Sequence, residues 1–455
     1  MPSFVYANYD SDGQFTNPAG NGLTSLQQAI VDQQVMKKPT VAMYGDSIAQ
    51  AGFVNGLGNG ISNIATGINS WIRGKTGQRV TLTNDLNFGV SGENTTQILA
   101  RIGQVLAAKP TFCIVIAGTN DFATAVTNKS LTIQNLKSIY DILTSHGIIV
   151  IAYTILPKTF WQPGGTIPAN IRNQMAYVNN WIRTYCYGTK GLYVADPWSA
   201  LVDPATGLSI GGGIVGSPPA NSAFTYDGLH PSPRGSFYAA IPAANIINAI
   251  VPANNTLLWT PNDNYSAADN PTGNLLNNTG MTVASGGTAG AGASGVIAGS
   301  WTIARTAGTT GAVVGSIVPG ALSSGQIYNK QRMTITAPAG SAIERIRALQ
   351  QLFVSGIIGK QVVAECEISV SGITGVNAFR GVHLRATDGT NDSLDRTINS
   401  GYLFPDAAYD DVYRTQPFLC TANVQQFELI VEIDGTVASA GVTVDFGRTA
   451  FRVVE

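Results

Sequence analysis

The chain has 455 residues, with 26 basic and 27 acidic side chains, a formal net charge of −1 and only 12% charged residues. That length is too great for one ordinary domain, and so neutral a balance excludes a surface built to track nucleic-acid phosphates. No uninterrupted apolar run is long enough to cross a bilayer, so neither nucleic acid nor a membrane span is expected among its partners.

The opening residues, Met-Pro-Ser-Phe-Val-Tyr-Ala-Asn-Tyr-Asp, lack the basic start and apolar core of a secretory signal. An extracellular or virion-associated setting is nevertheless the expected one, reached after loss of a leader or by another export route. Residues 1–36 read as a polar lead-in with one helical stretch around 23–35. From residue 37, apolar strands alternate with helical patterns. Strands are predicted at 40–44, in a segment ending at 88, and at 112–117, 148–153 and 192–195, with helices near 60–73, 95–108, 132–146, 169–186 and 235–250. Short runs without polar alternation, such as Phe112-Cys-Ile-Val-Ile-Ala117, suit strands covered on both faces. The alternation predicts an α/β fold over residues 37–252, a three-layer, five-stranded parallel sheet of flavodoxin-like order.

Four short blocks in this region hold chemistry-bearing residues: Gly45-Asp46-Ser47, Ser91-Gly92-Glu93-Asn94, Gly118-Thr119-Asn120-Asp121 and Asp227-Gly228-Leu229-His230. The first and third follow predicted strands directly, which puts Ser47 and Asn120 at the carboxyl edge of the sheet, where ligands gather in open α/β folds. Gly92 closes another apolar segment just before a helix. Gly228 and Pro231 flank the last block and argue for a tight turn that folds the Asp227 carboxylate onto the His230 ring. These are the parts of an acyl-transfer site. Ser47 is the candidate nucleophile, His230 its general base, Asp227 the group that orients the imidazole, and Ser47, Gly92 and Asn120 the oxyanion-hole residues. Among the three histidines, only His230 has a carboxylate at motif spacing; His146, at a helix end, and His383, in a far C-terminal strand, read as structural. Asp46 and Asp121 read as carboxylates that hold their turns.

In order and content the blocks resemble the SGNH hydrolases, also called the GDSL esterases and lipases, over roughly residues 37–250. The resemblance implies the same fold and a serine hydrolase that shares the Asp-x-x-His spacing. Ile48 stands where that family often has Leu, a volume-conserving change. No cofactor is expected, and no Cys or His spacing suggests a metal site.

After residue 252 the composition shifts. Residues 252–325 are rich in Asn, Gly, Ala, Thr and Ser, and the period-two runs at 361–370 and 427–433 predict antiparallel strands. The division expected is a connection or first strands over 253–300, then a jelly-roll-like β-sandwich over 301–455, interrupted by one helix at 343–353. At the level of architecture alone, this sandwich resembles modules that bind carbohydrate beside polysaccharide-active enzymes; a structural or assembly role is the alternative. Cys366 and Cys420 can pair across it in an oxidising setting, although spacing does not fix connectivity. Cys113, inside a predicted buried strand, reads as a small hydrophobe, and Cys186 ends the helix that starts at Ala169.

Specificity falls to two insertions over the catalytic rim, 157–168 with Phe160 and Trp161, and 203–226 with Phe224 and Tyr226. Trp161, Phe224 and Tyr226 are the candidate substrate-binding residues, and Trp198 is a further aromatic platform. The Gly-rich cover has no long apolar stripe for an acyl tunnel. The expected function is therefore a serine esterase that removes a small acyl group, acetyl above all, from a polysaccharide or small ester. Two alternatives stay open: a phage-tail-like or surface receptor-binding or structural protein with a supporting or vestigial hydrolase half, and a lipase or thioesterase built on the same residues. The oligomeric state is left open.

Overall fold

The computed structural model describes residues 38–455 except 57, 59, 124–126, 161–164, 211–223, 253–256, 322–326, 338–342, 374–378, 398–403, 435–439 and 455, together with 8–9 and 15–16. Two units are present, 1–39 and 40–455. In the first, β1 (Asn8–Tyr9) and β2 (Phe15–Thr16) pair antiparallel. The helix expected at 23–35 lies outside the described residues.

The second unit begins with β3 (Val41–Gly45), α1 (Ser47–Gln50), a hairpin of β4 (Phe53–Asn55) and β5 (Ile61–Asn63), and α2 (Ile68–Lys75). Then follow β6 (Asn87–Gly89), α3 (Thr95–Ala100), α4 (Gly103–Ala108), β7 (Phe112–Ile116), α5 (Lys129–Ser145), β8 (Ile149–Tyr153), α6 (Ala169–Tyr187), β9 (Leu192–Ala195), α7 (Trp198–Leu201) and α8 (Pro233–Ile250). Among the described residues a five-stranded parallel sheet runs β6-β3-β7-β8-β9, the flavodoxin-like order expected. Its central strands β3, β7 and β8 are apolar throughout because both faces are covered. Val41, Met43, Ile114 and Ile151 pack with α2 and α8, while Ala42, Tyr44, Cys113 and Val150 pack with α5 and α6.

The remaining strands are β10 (Thr288–Ala289), β11 (Ala293–Gly295), β12 (Thr302–Ala307), β13 (Ala312–Ala321), β14 (Ile327–Ala337), β15 (Ile343–Phe353), β16 (Gln361–Ser371), β17 (Phe379–Thr387), β18 (Asp392–Asp395), β19 (Tyr409–Arg414), β20 (Phe418–Leu419), β21 (Val424–Asp434) and β22 (Ala440–Val454). Among the described residues they form two sheets, β10-β12-β15-β21-β17-β18 and β11-β13-β14-β22-β16-β19, with β20 on β16. This is the predicted sandwich, mostly antiparallel. Trp301 meets Phe427 and Phe446 edge-on at 5.6 and 5.1 Å in its core.

Local expectations change in three places. The helix predicted at 343–353 is strand β15. Its buried positions alternate, but two of them are Glu344 and Gln350, so the polar–apolar pattern misleads. Both find backbone partners inside: Glu344 Oε1 accepts from Thr309 and Thr310 N–H, and Gln350 exchanges two hydrogen bonds with the Asn277 backbone. The helix over 60–73 begins only at Ile68, because β5 is drawn against β18, where the Ser393 hydroxyl donates to the Ile61 carbonyl and Leu394 N–H to the Ser62 hydroxyl. The helix at 95–108 breaks at Arg101 into α3 and α4. All four cysteines, including Cys366 and Cys420, are buried and free.

The architecture changes after α8, but the packing does not. Trp71 of α2 has Phe237 of α8 at 5.3 Å, Phe404 at 5.5 Å and Tyr409 of β19 at 5.7 Å, all edge-on. Arg396, fully buried just after β18, lies 4.6 Å from the Trp71 ring and 4.2 Å from the Tyr413 ring. Its guanidinium donates to the Ser70 carbonyl at 2.5 Å and to Asp411 at 3.2 Å, with Asp395 at 3.5 Å. Gly74 sits where a Cβ would overlap both Arg396 and Asp411. Arg73 of α2 and Gln78 just after it add hydrogen bonds to the Arg414 and Val412 carbonyls.

Arg396→Met would leave Asp395 and Asp411 buried without their counter-charge, a loss of about 3–5 kcal/mol. Urea midpoints are expected to fall accordingly, and an unchanged midpoint would contradict this account of the interface. A chain ending near residue 252 would bare Trp71 and is expected to aggregate rather than stay dispersed, as read by light scattering.

Candidate functional site

β3 delivers Ser47 through a turn that demands glycine. Gly45 has φ +152°, and a Cβ there would overlap the Ile116 carbonyl of the adjacent strand. That carbonyl accepts from Asp46 N–H at 3.2 Å. Asp46 caps α1, its Oδ1 accepting from Ile48 N–H at 2.9 Å. The carboxyl is wholly buried, which pushes its pKa up to about 7.

On the other side, Tyr226–His230 closes into a loop, with Tyr226 N–H donating to the His230 carbonyl at 3.0 Å. Asp227 Oδ1 accepts from Leu229 and His230 N–H at 2.9 and 2.7 Å, leaving Oδ2 to face His230 Nδ1 at 2.6 Å. A carboxylate accepts at Nδ1, so the proton is assigned there and the Nε2 lone pair is directed at Ser47 Oγ, 2.9 Å away. Burial pushes the Asp227 carboxyl up, but the hydrogen bonds and charge from His230 and the Leu229 N–H outweigh it and hold the group below its ordinary value. An imidazole placed in this way can take the Ser47 proton as the oxygen attacks a carbonyl.

Asn120 opens a short helical turn after β7, and its amide Nδ2 donates to the Glu93 carbonyl at 2.9 Å. One N–H is thereby fixed, and a carboxamide has a second to offer. Gly92 lies at φ +81° with nothing within 4 Å of where a Cβ would stand. Its glycine is thus required by conformation, not by crowding. Immediately after it, Asn94 caps α3 in a reciprocal box with Gln97. Asp121 accepts from Thr95 N–H at 3.0 Å and the Thr132 hydroxyl at 3.1 Å. So the blocks holding Ser47, Gly92 and Asn120 meet at one rim, and the Asp227–His230 turn closes over them.

Of the proposed aromatic contacts, Tyr226 lies parallel to the His230 ring at 5.6 Å. Phe224 stacks instead on Tyr238 of α8 at 5.3 Å. Trp161 lies outside the described residues, and Trp198 is half-buried at the start of α7. His146 caps α5, and His383 is half-buried in β17, where desolvation pulls its pKa down to about 4. Neither joins the site.

Two cations here escaped sequence reasoning. Arg101 donates to the Gly45 carbonyl at 2.8 Å, the Phe88 carbonyl at 2.6 Å and the Glu93 carboxylate at 2.5 Å. Lys158 is buried and donates to the Thr119 and Phe122 carbonyls at 3.0 and 3.1 Å. A charged residue in a helical pattern or after a strand ordinarily reads as solvated, and no local signal marks these two as bound to backbone.

Residues 43–236 match the model of the GDSL-like Lipase/Acylhydrolase family. No curated protein matches the chain. Among solved structures, a GDSL-like lipase from Bacteroides thetaiotaomicron is similar at 18% identity, over 50% of this chain and 97% of that one, with a TM-score of 0.32. A carbohydrate esterase family 3 protein from Talaromyces cellulolyticus is similar at 17%, over 47% and 98%, with a TM-score of 0.33. An acetylxylan esterase from Geobacillus stearothermophilus is similar at 16%, over 46% and 94%, with a TM-score of 0.34.

The Asp227–His230 contact predicts a strongly deshielded imidazole N–H proton in the NMR spectrum, absent in Asp227→Asn. Because the folded Asp227 carboxyl titrates below its unfolded value, its stabilising contribution should be complete above pH about 4 and disappear as pH falls through the folded value. The gap in urea midpoint between wild type and Asp227→Asn should therefore narrow from pH 7 to pH 3, and a gap that widened would contradict the assignment.

Proposed function

Residues 43–236 are a GDSL-type hydrolase domain, and from that premise we propose that this chain is a serine esterase acting through an acyl-enzyme on Ser47. The observation that carries the reading is the continuous line from Asp227 Oδ2 through the His230 ring to Ser47 Oγ, with spacings of 2.6 and 2.9 Å. Ser47 Oγ attacks the ester carbonyl while its proton passes to His230 Nε2. The carbonyl oxygen becomes an oxyanion, held by the Ser47 and Gly92 N–H groups and the Asn120 amide. Collapse breaks the bond to the alcohol, which leaves with the proton from His230. Water then attacks the acyl-enzyme with the same base, releasing the acid and restoring Ser47. Asp227 stays ionised throughout and stabilises the imidazolium.

We assign a small acyl group, acetyl above all, carried on a polysaccharide. What supports this is the Gly- and Pro-rich segment 203–226 beside the Asp227–His230 turn, without the apolar run that lines a fatty-acyl tunnel. The flat Tyr226 ring beside His230 suits the apolar face of a sugar. The appended sandwich fits a role in holding the glycan, and this remains part of the proposal.

Release of acetate from a panel of acetylated polysaccharides, against a Ser47→Ala control, tests the function. Ser47→Ala should lose about 10³-fold or more in turnover, and retention of a tenth of the activity would remove Ser47 from the mechanism. Rates that rose with acyl length in a series of p-nitrophenyl esters would favour a lipase over the acetylesterase.

A second expectation concerns the transition state. Asn120→Ala should lower kcat by about 10²-fold with KM nearly constant, since one preorganised donor is lost. A higher KM at constant kcat would make Asn120 a ground-state binding group instead.

A further inference from the structure

Lys158 follows β8 and is 4% exposed, with the rest of the side chain inside the protein. Its ammonium donates to the Thr119 carbonyl at 3.0 Å and the Phe122 carbonyl at 3.1 Å. These two carbonyls bracket the turn that starts at Asn120. The two residues after Lys158 reach in another direction: Thr159 and Phe160 N–H both donate to the Gly228 carbonyl, at 2.8 and 2.9 Å. Gly228 is the residue between Asp227 and Leu229, at φ +85° in the turn that aims His230. One short segment therefore grips the Asn120 turn with a side chain and the Asp227–His230 turn with its backbone.

Electrostatics adds a third block. The charged groups facing Lys158 are Asp46, which precedes Ser47, and Asp121, which follows Asn120. Burial pulls the ammonium pKa down to about 8 while both carboxylates push it back up. Asp46 feels Lys158 in return, together with His230 and Asp121, and its Oδ2 is buried without a hydrogen-bond partner among the described residues. The ammonium is committed to two carbonyl acceptors away from the Ser47–His230 line, so it is not a proton carrier for the reaction.

We propose that Lys158 is a positioning residue of this site, acting through the Asn120 turn and the Asp227–His230 turn and supplying the counter-charge for Asp46 and Asp121. The proposal rests on the esterase reading above. Nothing in the alternation of strands and helices or in the four blocks points to this residue, because its partners are backbone carbonyls distant in sequence.

Lys158→Met keeps the length of the side chain while removing both donors and the charge. On p-nitrophenyl acetate its kcat should fall by about 10²-fold, the cost expected for a small displacement of catalytic groups, with KM little changed. In a double-mutant cycle with Asn120→Ala the two losses should not add, since Lys158 works partly through Asn120. A merely structural lysine would lower the melting temperature, leave kcat within about twofold at temperatures where the variant is folded, or give additive losses; any of these kcat or cycle results overturns the proposal. Should Lys158→Met not fold, Lys158→Gln and Lys158→Arg decide the matter in the same assays, with Arg expected to recover more of kcat than Gln and equal values overturning the charge role. Hydrogen exchange by NMR reads the positioning without turnover: the Asn120 side-chain amide and the Thr159 and Phe160 N–H groups should lose protection in Lys158→Met, while N–H groups of β16 keep theirs. Unchanged exchange at those three sites would overturn the proposal. If wild type and Ser47→Ala proved equally inactive on every ester, the esterase reading would fail, and the exchange measurement would still decide the role of Lys158.

Discussion

The hydrogen bond from Asp46 N–H to the Ile116 carbonyl, 3.2 Å long, joins the turn that carries Ser47 to the strand that leads to Asn120. It forms only because residue 45 has no side chain: a Cβ there would occupy the position of that same carbonyl. Parallel strands in this register end together, so whatever each strand carries beyond its last residue arrives at one edge. From that single close approach follow the exposure of Ser47 at the rim, the proximity of Asn120, and the space into which the Asp227–His230 turn can fold.

Behind this edge the protein keeps a set of charges that do no proton chemistry in the mechanism derived above. Asp46 and Asp121 bind backbone N–H groups of the turns they belong to or face. Arg101 and Lys158 bind backbone carbonyls of two of the four blocks, those of Gly45 and Thr119, and of Phe88 and Phe122 beside them. Burying an ion is costly unless it is paired and hydrogen-bonded. Here the cost is offset by fixing turns that have no regular ladder to hold them. A loop site gains from such groups what a helix or strand obtains from its own hydrogen bonds, a narrow range of positions for the side chains it presents.

The hydrolase half is not closed by its own residues alone. Trp71 and Arg396 form a joint apolar and ionic contact in which α2 supplies the indole and the carbonyl of Ser70, and the sandwich supplies the guanidinium, Asp411 and two further rings. The hairpin that follows α1, only a few residues after Ser47, is likewise drawn to β18. The sandwich is therefore part of the framework that holds the first block in place, and any role it has toward a glycan is added to that one.

The sequence by itself determined the parallel sheet and its order, because strands buried on both faces must be continuously apolar and their helices carry a matching stripe. The places of Ser47 and Asn120 just beyond strand ends, and of Asp227 three residues before His230, are local features that could be read directly. Where the signal was local but the cause was distant, it misled. Glu344 and Gln350 occupy interior positions of β15 where backbone groups elsewhere bond to them, and β5 is a strand because of β18. Tertiary structure alone decided that the two halves share a core, that Phe224 turns to Tyr238 and away from the rim, and that Arg101 and Lys158 serve backbone carbonyls. The physical reason is common to all of these. Periodicity records which face of an element is buried, but a buried polar side chain is specified by partners that can lie hundreds of residues away, and only the folded chain brings them within hydrogen-bonding distance.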